Sequence, residues 1–304
     1  MRTMGDSISS SIRPERSISS GGNGERRPTA LIFLILLWLS LLIAIGFLIT
    51  LIANILIEGS NQFTLRLLTE FPASSPDRAG ARAAILGSAW VIGTTALLTI
   101  PLGVAAAIHL EEFADKRNWF NRLIELNVQN LAAVPSIVYG LLALAFLSLL
   151  GVPNKNIVIG GALALSLLIL PVIIIATREA LRSVPAEIRE GSLALGATRW
   201  QTVWRQVLPS AVPGIATGSI LGLSRALGEA APLLVLGALV FVSFDPNSLF
   251  SSYTTLPIQI FNWTGRPQQG FHELAAAASV VLLVFLVAMN GLAIFIRNKF
   301  QKRW

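Results

Sequence analysis

Between two long apolar blocks the chain reads Pro185-Ala-Glu-Ile-Arg-Glu-Gly-Ser-Leu-Ala-Leu-Gly-Ala-Thr-Arg-Trp200 and continues to Pro209. Proline at a first helical position wastes no hydrogen bond, so Pro185 opens a short helix. Gly196 is placed to close it in a left-handed conformation. Thr198 and Gln201 have the spacing of a capping box for a second helix. On that helix Trp200, Val203, Trp204 and Val207 recur at i, i+3, i+4 and i+7 and make one apolar face. Pro209 and Pro213 are expected to bound it. The stretch therefore predicts two short amphipathic helices, bent at a glycine and basic on their outer face. One reading of such spacing is a connecting loop resting on a lipid surface, which Trp and Arg both favour.

What flanks this stretch is membrane-like. Of 304 residues, 54% are hydrophobic and only 13% charged, with a mean hydropathy of +0.69. A soluble domain carries roughly a quarter of its residues charged. Six apolar blocks are each long enough, at about 20 residues, to cross a bilayer core. They run over residues 30–57, 83–110, 128–150, 157–177, 212–242 and 274–296. Residues 1–29, rich in Ser, Gly and Arg, read as a disordered basic tail. Residues 58–82 read as a loop on the opposite side, 83–296 as a core of five spans, and 297–304 as a basic C-terminus. Lys and Arg distribute seventeen to five between the two sides, with Arg178, Arg182, Arg189, Arg199 and Arg205 around the bent stretch at 183–209. The positive-inside rule then places both termini in the cytoplasm.

Other function classes find little support. The net charge of +7 sits at the edges of alternate apolar blocks and forms no aromatic-interleaved patch, which argues against a nucleic-acid partner. There is no cysteine, and the two histidines, His109 and His272, belong to no ligand-spaced cluster. No GxxxxGK[ST] phosphate loop occurs, so the chain carries no P-loop ATPase of its own. No catalytic site is expected.

The fifth block holds the most unusual polar residues. Gly214, Gly218 and Gly222 recur every four residues, a stripe that lets another helix approach to backbone contact. Arg225 and Glu229 stand at i, i+4. On a continuous helix Arg225 points within about 20° of Gly218, on the close-packed side. Charges at bilayer depth face a partner, a cavity or a pore. Two readings follow: a structural ion pair locking two helices, or an arginine held by Glu229 and offering bidentate donors to a passing oxyanion. Arg178, ending the fourth block, is either a second candidate on that pathway or a side chain snorkelling to headgroups.

The bent stretch resembles a known family. Glu190-Gly191-Ser192, then Gly196, then Leu208-Pro209 is similar to the EAA loop of ABC importer permeases, with Gly and Ser where that pattern has two alanines. Three further stretches resemble the PstA-type permeases of phosphate importers. They are Pro101-Leu-Gly-Val-Ala-Ala-Ala-Ile-His-Leu-Glu-Glu-Phe113, Val134-Pro-Ser-Ile-Val-Tyr-Gly-Leu141 and Arg225-Ala-Leu-Gly-Glu-Ala-Ala-Pro-Leu-Leu234. The resemblance implies an all-α integral membrane protein of about six spans in the type I ABC importer permease fold, seated in the bacterial inner membrane. It implies a docking role for Glu190, Gly191, Ser192, Gly196, Leu208 and Pro209 toward an ATPase subunit (PstB-type). It also implies a second permease (PstC-type), a periplasmic phosphate-binding protein (PstS-type), and no cofactor on this chain, ATP and Mg being used by the partner. A same-family permease for sulfate or molybdate shares most of these features. An ATP-independent transporter or channel would leave the 183–209 stretch without a role.

Overall fold

In the computed structural model the described residues are 28–115, 117–238 and 241–300, the side chains of 28–30 and 300 excepted. The basic tail expected over 1–29 falls almost wholly outside them, as do Lys116, Lys302 and Arg303. The chain divides into two compact units at Ile52 and Ala53. The described part of the first is helical throughout, the opening of α1 (Pro28–Gly59). It needs no local punctuation to explain it, because the run from Thr29 to Ile57 contains neither proline nor charge and has ample length for a bilayer.

The second unit is built on four long helices: α3 (Arg82–Ile108), α6 (Val158–Arg182), α9 (Leu208–Leu227) and α12 (Gln269–Phe300). Shorter pieces lie between them. These are α2 (Leu65–Thr69), α4 (Trp119–Leu131), α5 (Ser136–Leu149), α7 (Ala186–Ala194), α8 (Arg199–Thr202), α10 (Ala231–Val235) and α11 (Leu256–Thr264). Helix α6 is the centre: α3 packs along one side of it and α9 along another, while α12 covers α9. Val91, Ile169, Ile173 and Leu223 fill the middle of this bundle. At one end a second cluster buries Leu67, Trp263, Phe271 and Leu274. Beside it Arg82 forks onto Asp245, with Nε 3.1 Å from Oδ1. At the other end Leu181, Val184, Val203 and Val207 close a third cluster under the bent stretch.

The result is an all-helical membrane protein. Among the described residues five helices are long and apolar enough to cross a bilayer, and a sixth span is counted if the bent pair α4 and α5 is taken as one. Three expectations are corrected in detail. The block 128–150 is not one straight helix: α4 and α5 meet at 113°. Pro135 gives up its N–H and biases Val134 away from helical backbone, so the chain turns there. Helix α4 is amphipathic, and α5 alone spans only about 21 Å at 1.5 Å per residue.

The block 212–242 is likewise broken. Helix α9 ends at Leu227, Gly228 to Ala230 are not helical, and Pro232 starts the short α10, which packs on α5. Nor do Pro209 and Pro213 bound the helix of the bent stretch, because helix runs unbroken from Arg199 to Leu227. A π-turn at Val203–Val207 precedes Pro209, and the Leu208 N–H bonds to the Val203 carbonyl, five residues back. In a regular α-helix the Pro209 ring would press on the Arg205 carbonyl. The wider turn relieves this and lets the helix continue.

Candidate functional site

Two places collect the residues singled out in the sequence: the bent stretch on the basic side of the bundle, and the end of α9.

In the bent stretch, Pro185 precedes α7 in extended conformation, with φ −54° and ψ 141°. Gly196 follows α7 with φ +84°, the left-handed region that glycine enters without steric cost. Its N–H bonds to the Leu193 carbonyl at 2.9 Å, and the Ala197 N–H reaches the Ser192 carbonyl at 3.2 Å. This pair of bonds is a Schellman motif and satisfies the carbonyls that α7 leaves open. One residue later the capping box forms. The Gln201 N–H donates to Thr198 Oγ1 at 3.3 Å, and the Thr198 N–H donates to Gln201 Oε1 at 2.9 Å.

The two arms of the bend are tied together. Ser192 Oγ lies 2.9 Å from Thr202 Oγ1, and Thr202 is buried. Serine at the second alanine position of the family pattern thus supplies a cross-link that alanine lacks. A Cβ at Gly191 would meet nothing within 4 Å, so packing does not require glycine there. Val203 and Val207 are buried against α6 and α9, whereas Trp200 and Trp204 remain about half exposed, their rings tilted against each other with centroids 5.3 Å apart. The stretch is therefore anchored to the bundle through half of its apolar face and does not merely rest on lipid.

What α7 offers outward is Glu187 and Glu190, both exposed, and Leu193 and Leu195, the latter 91% exposed. An open cleft of about 480 Å³ lies between the arms, lined by Glu187, Gly191, Ser192, Leu195 and Ala197. The two leucines had not been singled out in the sequence. For Leu193 the signal is available there, because on a regular helix it stands about 140° from Ile188, which packs on the bundle. Leu195 is exposed because it is the C-cap, past the end of α7.

At the end of α9 the expected glycine stripe faces α6. A Cβ at Gly214 would stand 2.7 Å from the Ala180 Cβ, and one at Gly218 would stand 2.5 Å from the Ala176 Cβ. At Gly222 the distance to Ile173 has opened to 3.6 Å. That is ordinary van der Waals contact in place of the tight fit at the two earlier glycines, and one turn further on the Arg225 side chain lies off the seam, 54% exposed. The sequence had placed Arg225 on the close-packed side. Glu229 lies beyond the helix end, and its Oε1 is 3.9 Å from Arg225 Nε, too far for a hydrogen bond. The i, i+4 pair is therefore loose, with the guanidinium turned to the open side. Nearby, Ser224 Oγ donates to Asn290 Oδ1 at 3.1 Å and joins α9 to α12.

Arg178 is arranged differently. It is 6% exposed, with Nε 3.1 Å from Glu111 Oε2 and Nη2 2.6 Å from Glu125 Oε1. Arg182 joins the same group, 3.0 Å from Glu111. Snorkelling to headgroups is thereby corrected: the guanidinium is held inside by two carboxylates, one following α3 and the other on α4. The ends of α3 and α6 and the middle of α4 meet on this cluster. Sequence patterning did not find Glu111 and Glu125, because nothing local marks a contact 67 or 53 residues away. Among the described residues no group of three or more His, Cys, Asp or Glu is placed to hold a metal.

Comparison with known proteins agrees with this architecture. Residues 99–303 match the family described as "Binding-protein-dependent transport system inner membrane component". The chain is 34% identical over 269 residues to the probable ABC transporter permease protein YqgI of Bacillus subtilis, covering 84% of this chain and 90% of that one. It is 35% identical over 219 residues to the phosphate transport system permease protein PstA 1 of Mycobacterium tuberculosis, covering 72% and 70%. Among solved structures, a bacterial alginate ABC transporter superposes with a TM-score of 0.66 at 16% identity, covering 90% of this chain and 96% of that one. The MetNI methionine ABC transporter in an inward-facing conformation gives 0.56 at 18%, covering 73% and 96%. At such identities the superpositions speak to the fold. The chain belongs to the family of inner-membrane permease components of binding-protein-dependent ABC importers.

Proposed function

We propose that this permease serves an importer of inorganic phosphate and forms half of its translocation pathway. ATP hydrolysis resides in separate subunits of such importers, and this chain contributes no catalytic site. In the proposed assembly both termini are cytoplasmic, a similar second permease (PstC-type) supplies the other half of the pathway, and an ATPase subunit (PstB-type) seats on α7. A periplasmic phosphate-binding protein (PstS-type) meets the opposite face.

The observation that carries the coupling role is the geometry of α7. It is a short helix fixed at both ends, cross-tied by Ser192 to Thr202, and presenting Glu190, Leu193 and Leu195 to solvent. Exposed leucines beside carboxylates on a rigid element suit a protein partner with an apolar notch and basic rim. Leu208 and Pro209 sit where the π-turn passes into α9, so tilting of α7 and α8 would bear on a continuous membrane helix.

Support for phosphate comes from the PstA relatives together with Arg225. A half-exposed guanidinium on an apolar helix needs a water-filled path or a partner, and with Glu229 only loosely engaged it retains free donors for an oxyanion. Uptake of labelled phosphate into proteoliposomes containing both permeases and the ATPase tests the assignment, with loaded binding protein outside and ATP inside. Phosphate uptake that requires ATP, and is not matched by sulfate or molybdate, supports it. ATP-driven uptake of another oxyanion overturns the substrate and keeps the class. Uptake independent of ATP overturns the coupling role.

A further inference from the structure

Arg189 stands one residue before the docking carboxylate and points the other way, into the bundle. Its Nη1 donates to the Val184 carbonyl at 2.8 Å, and Nη2 donates to the Leu181 carbonyl at 2.8 Å and to Glu112 Oε1 at 2.7 Å. Nε completes the fork on Glu112, 3.3 Å from Oε1. The pair is largely buried, with side-chain exposures of 24% and 10%. The Leu181 carbonyl, which also accepts the Val184 N–H at 3.3 Å, lies in the last turn of α6, and Val184 follows two residues past its end, where a cation is favoured by the helix dipole. Glu112 lies in a π-turn at His109–Phe113, directly after α3. One planar side chain on α7 thus grips the ends of both α6 and α3, the two helices packed together at the centre of the unit.

We propose that Arg189 is the positioning residue through which displacement of α7 reaches α3 and α6 together. The proposal rests on the docking role given to α7 above. The covalent route from α7 passes through Ser183 to Pro185 into α6, and through Gly196 into α8 and α9. Both routes also reach α3 through apolar packing, as where Ile108 clusters with Leu181 and Val203 and the Phe113 ring lies 5.9 Å from Trp200. The Arg189–Glu112 bond adds a direct polar tie from α7 itself to the turn after α3, and being charge-assisted and largely buried it is stiff where a surface pair would yield. Lysine substitutes only in part, because a single ammonium keeps the charge but does not reproduce the planar fork that reaches two carbonyls and a carboxylate at once.

The test is the ratio of labelled inorganic phosphate taken up to ATP hydrolysed, measured in proteoliposomes of the complete complex. Arg189→Met and Glu112→Gln are compared with wild type, and Arg189→Lys serves as the conservative variant. A cross-link from Leu195→Cys to the ATPase subunit is followed in parallel to report docking. The expected result is a cross-link of wild-type yield, hydrolysis within about threefold of wild type, and uptake per ATP at least about tenfold lower in Met and Gln. Lys should show an intermediate loss. Should Arg189→Met fail to assemble, Glu112→Gln retains both carbonyl bonds and removes the charge from the link to α3, leaving one neutral acceptor in place of the carboxylate. An unchanged ratio in Glu112→Gln, or hydrolysis and uptake falling in proportion, would overturn the clamp and leave docking standing. Absence of the cross-link in otherwise wild-type complex would overturn the docking role and the clamp with it.

Discussion

Replacing Gly196 by alanine would add one methyl group at a backbone φ of +84°. No heavy atom lies within 4 Å of that Cβ position, so the cost is conformational, with no crowding added. An L-residue held in the left-handed region loses about 1–2 kcal/mol relative to glycine. Both Schellman bonds, from Gly196 to Leu193 and from Ala197 to Ser192, depend on that conformation, so the penalty falls on the bend itself. If the ATPase subunit recognises the bent form, its affinity for the permease drops by roughly 5- to 30-fold. Asparagine, which enters the left-handed region more readily than alanine, should lie between. Gly191→Ala is the matched control. It adds the same methyl group within α7, in open space, where alanine is favoured over glycine by about 1 kcal/mol. The assay is titration of purified ATPase subunit against the permease pair in nanodiscs. Equal affinity for Gly196→Ala and wild type, or equal losses at 191 and 196, would refute the reasoning.

Further outcomes follow from the same geometry. Glu190→Lys reverses an exposed charge on α7 without touching the bundle; it should leave membrane insertion intact and abolish ATP-driven uptake, read as transport in membranes with matched permease content. Arg225→Gln should lower phosphate flux by about tenfold or more while the assembled complex survives purification, since the Glu229 contact it removes is loose. Loss of assembly before flux would favour a structural pair. Arg178→Met leaves Glu125 without its 2.6 Å partner, while Arg182 still neutralises Glu111. The cost should sit near the low end of the 3–5 kcal/mol range for a broken buried pair, about 3 kcal/mol. It should show as a lowered midpoint of thermal unfolding in detergent, with residual transport below that temperature.

The parts of this protein that were legible from sequence are those set by local chemistry. Gly196, Thr198 and Gln201 specify a stop, a start and a cap within six residues, and the backbone follows them. The apolar blocks likewise announce α1, α3, α6 and α12, because length and hydropathy are properties of one segment. The failures are also physical. Hydropathy is blind to direction, so the apolar runs at 128–150 and 212–242 looked continuous although α4 and α5 meet at 113° and α9 stops at Leu227. Pro135 and the Gly228-Glu-Ala-Ala-Pro232 run carried the warning, but proline does not by itself separate a kink from a break. Pro209 shows the opposite error, since a π-turn lets the helix pass through it.

The site divides along the same line. The bend and its caps were visible, whereas the partners of Arg178 and Arg189 were not. Glu111 and Glu112 are adjacent in sequence yet serve different helices, Glu111 pairing with Arg178 and Arg182 on α6 and Glu112 with Arg189 on α7. That assignment depends on how α3, α6 and α7 pack. No periodicity encodes it. Arg225 illustrates the limit of angular reasoning: its projection along an ideal helix falls on the seam, yet α9 ends two residues later at Leu227 and the long side chain is 54% exposed.

The central claim is that α7 is the seat of the ATPase subunit, and a chain without cysteine allows a direct measurement. Leu195→Cys places a single thiol at a position 91% exposed, where a photoreactive maleimide can be attached before the complex is reconstituted and irradiated. The account predicts an adduct joining this chain to the ATPase subunit, with a yield that changes between ATP-bound and ATP-free complex. An adduct with lipid alone, in a complex that still imports phosphate with ATP, would contradict it.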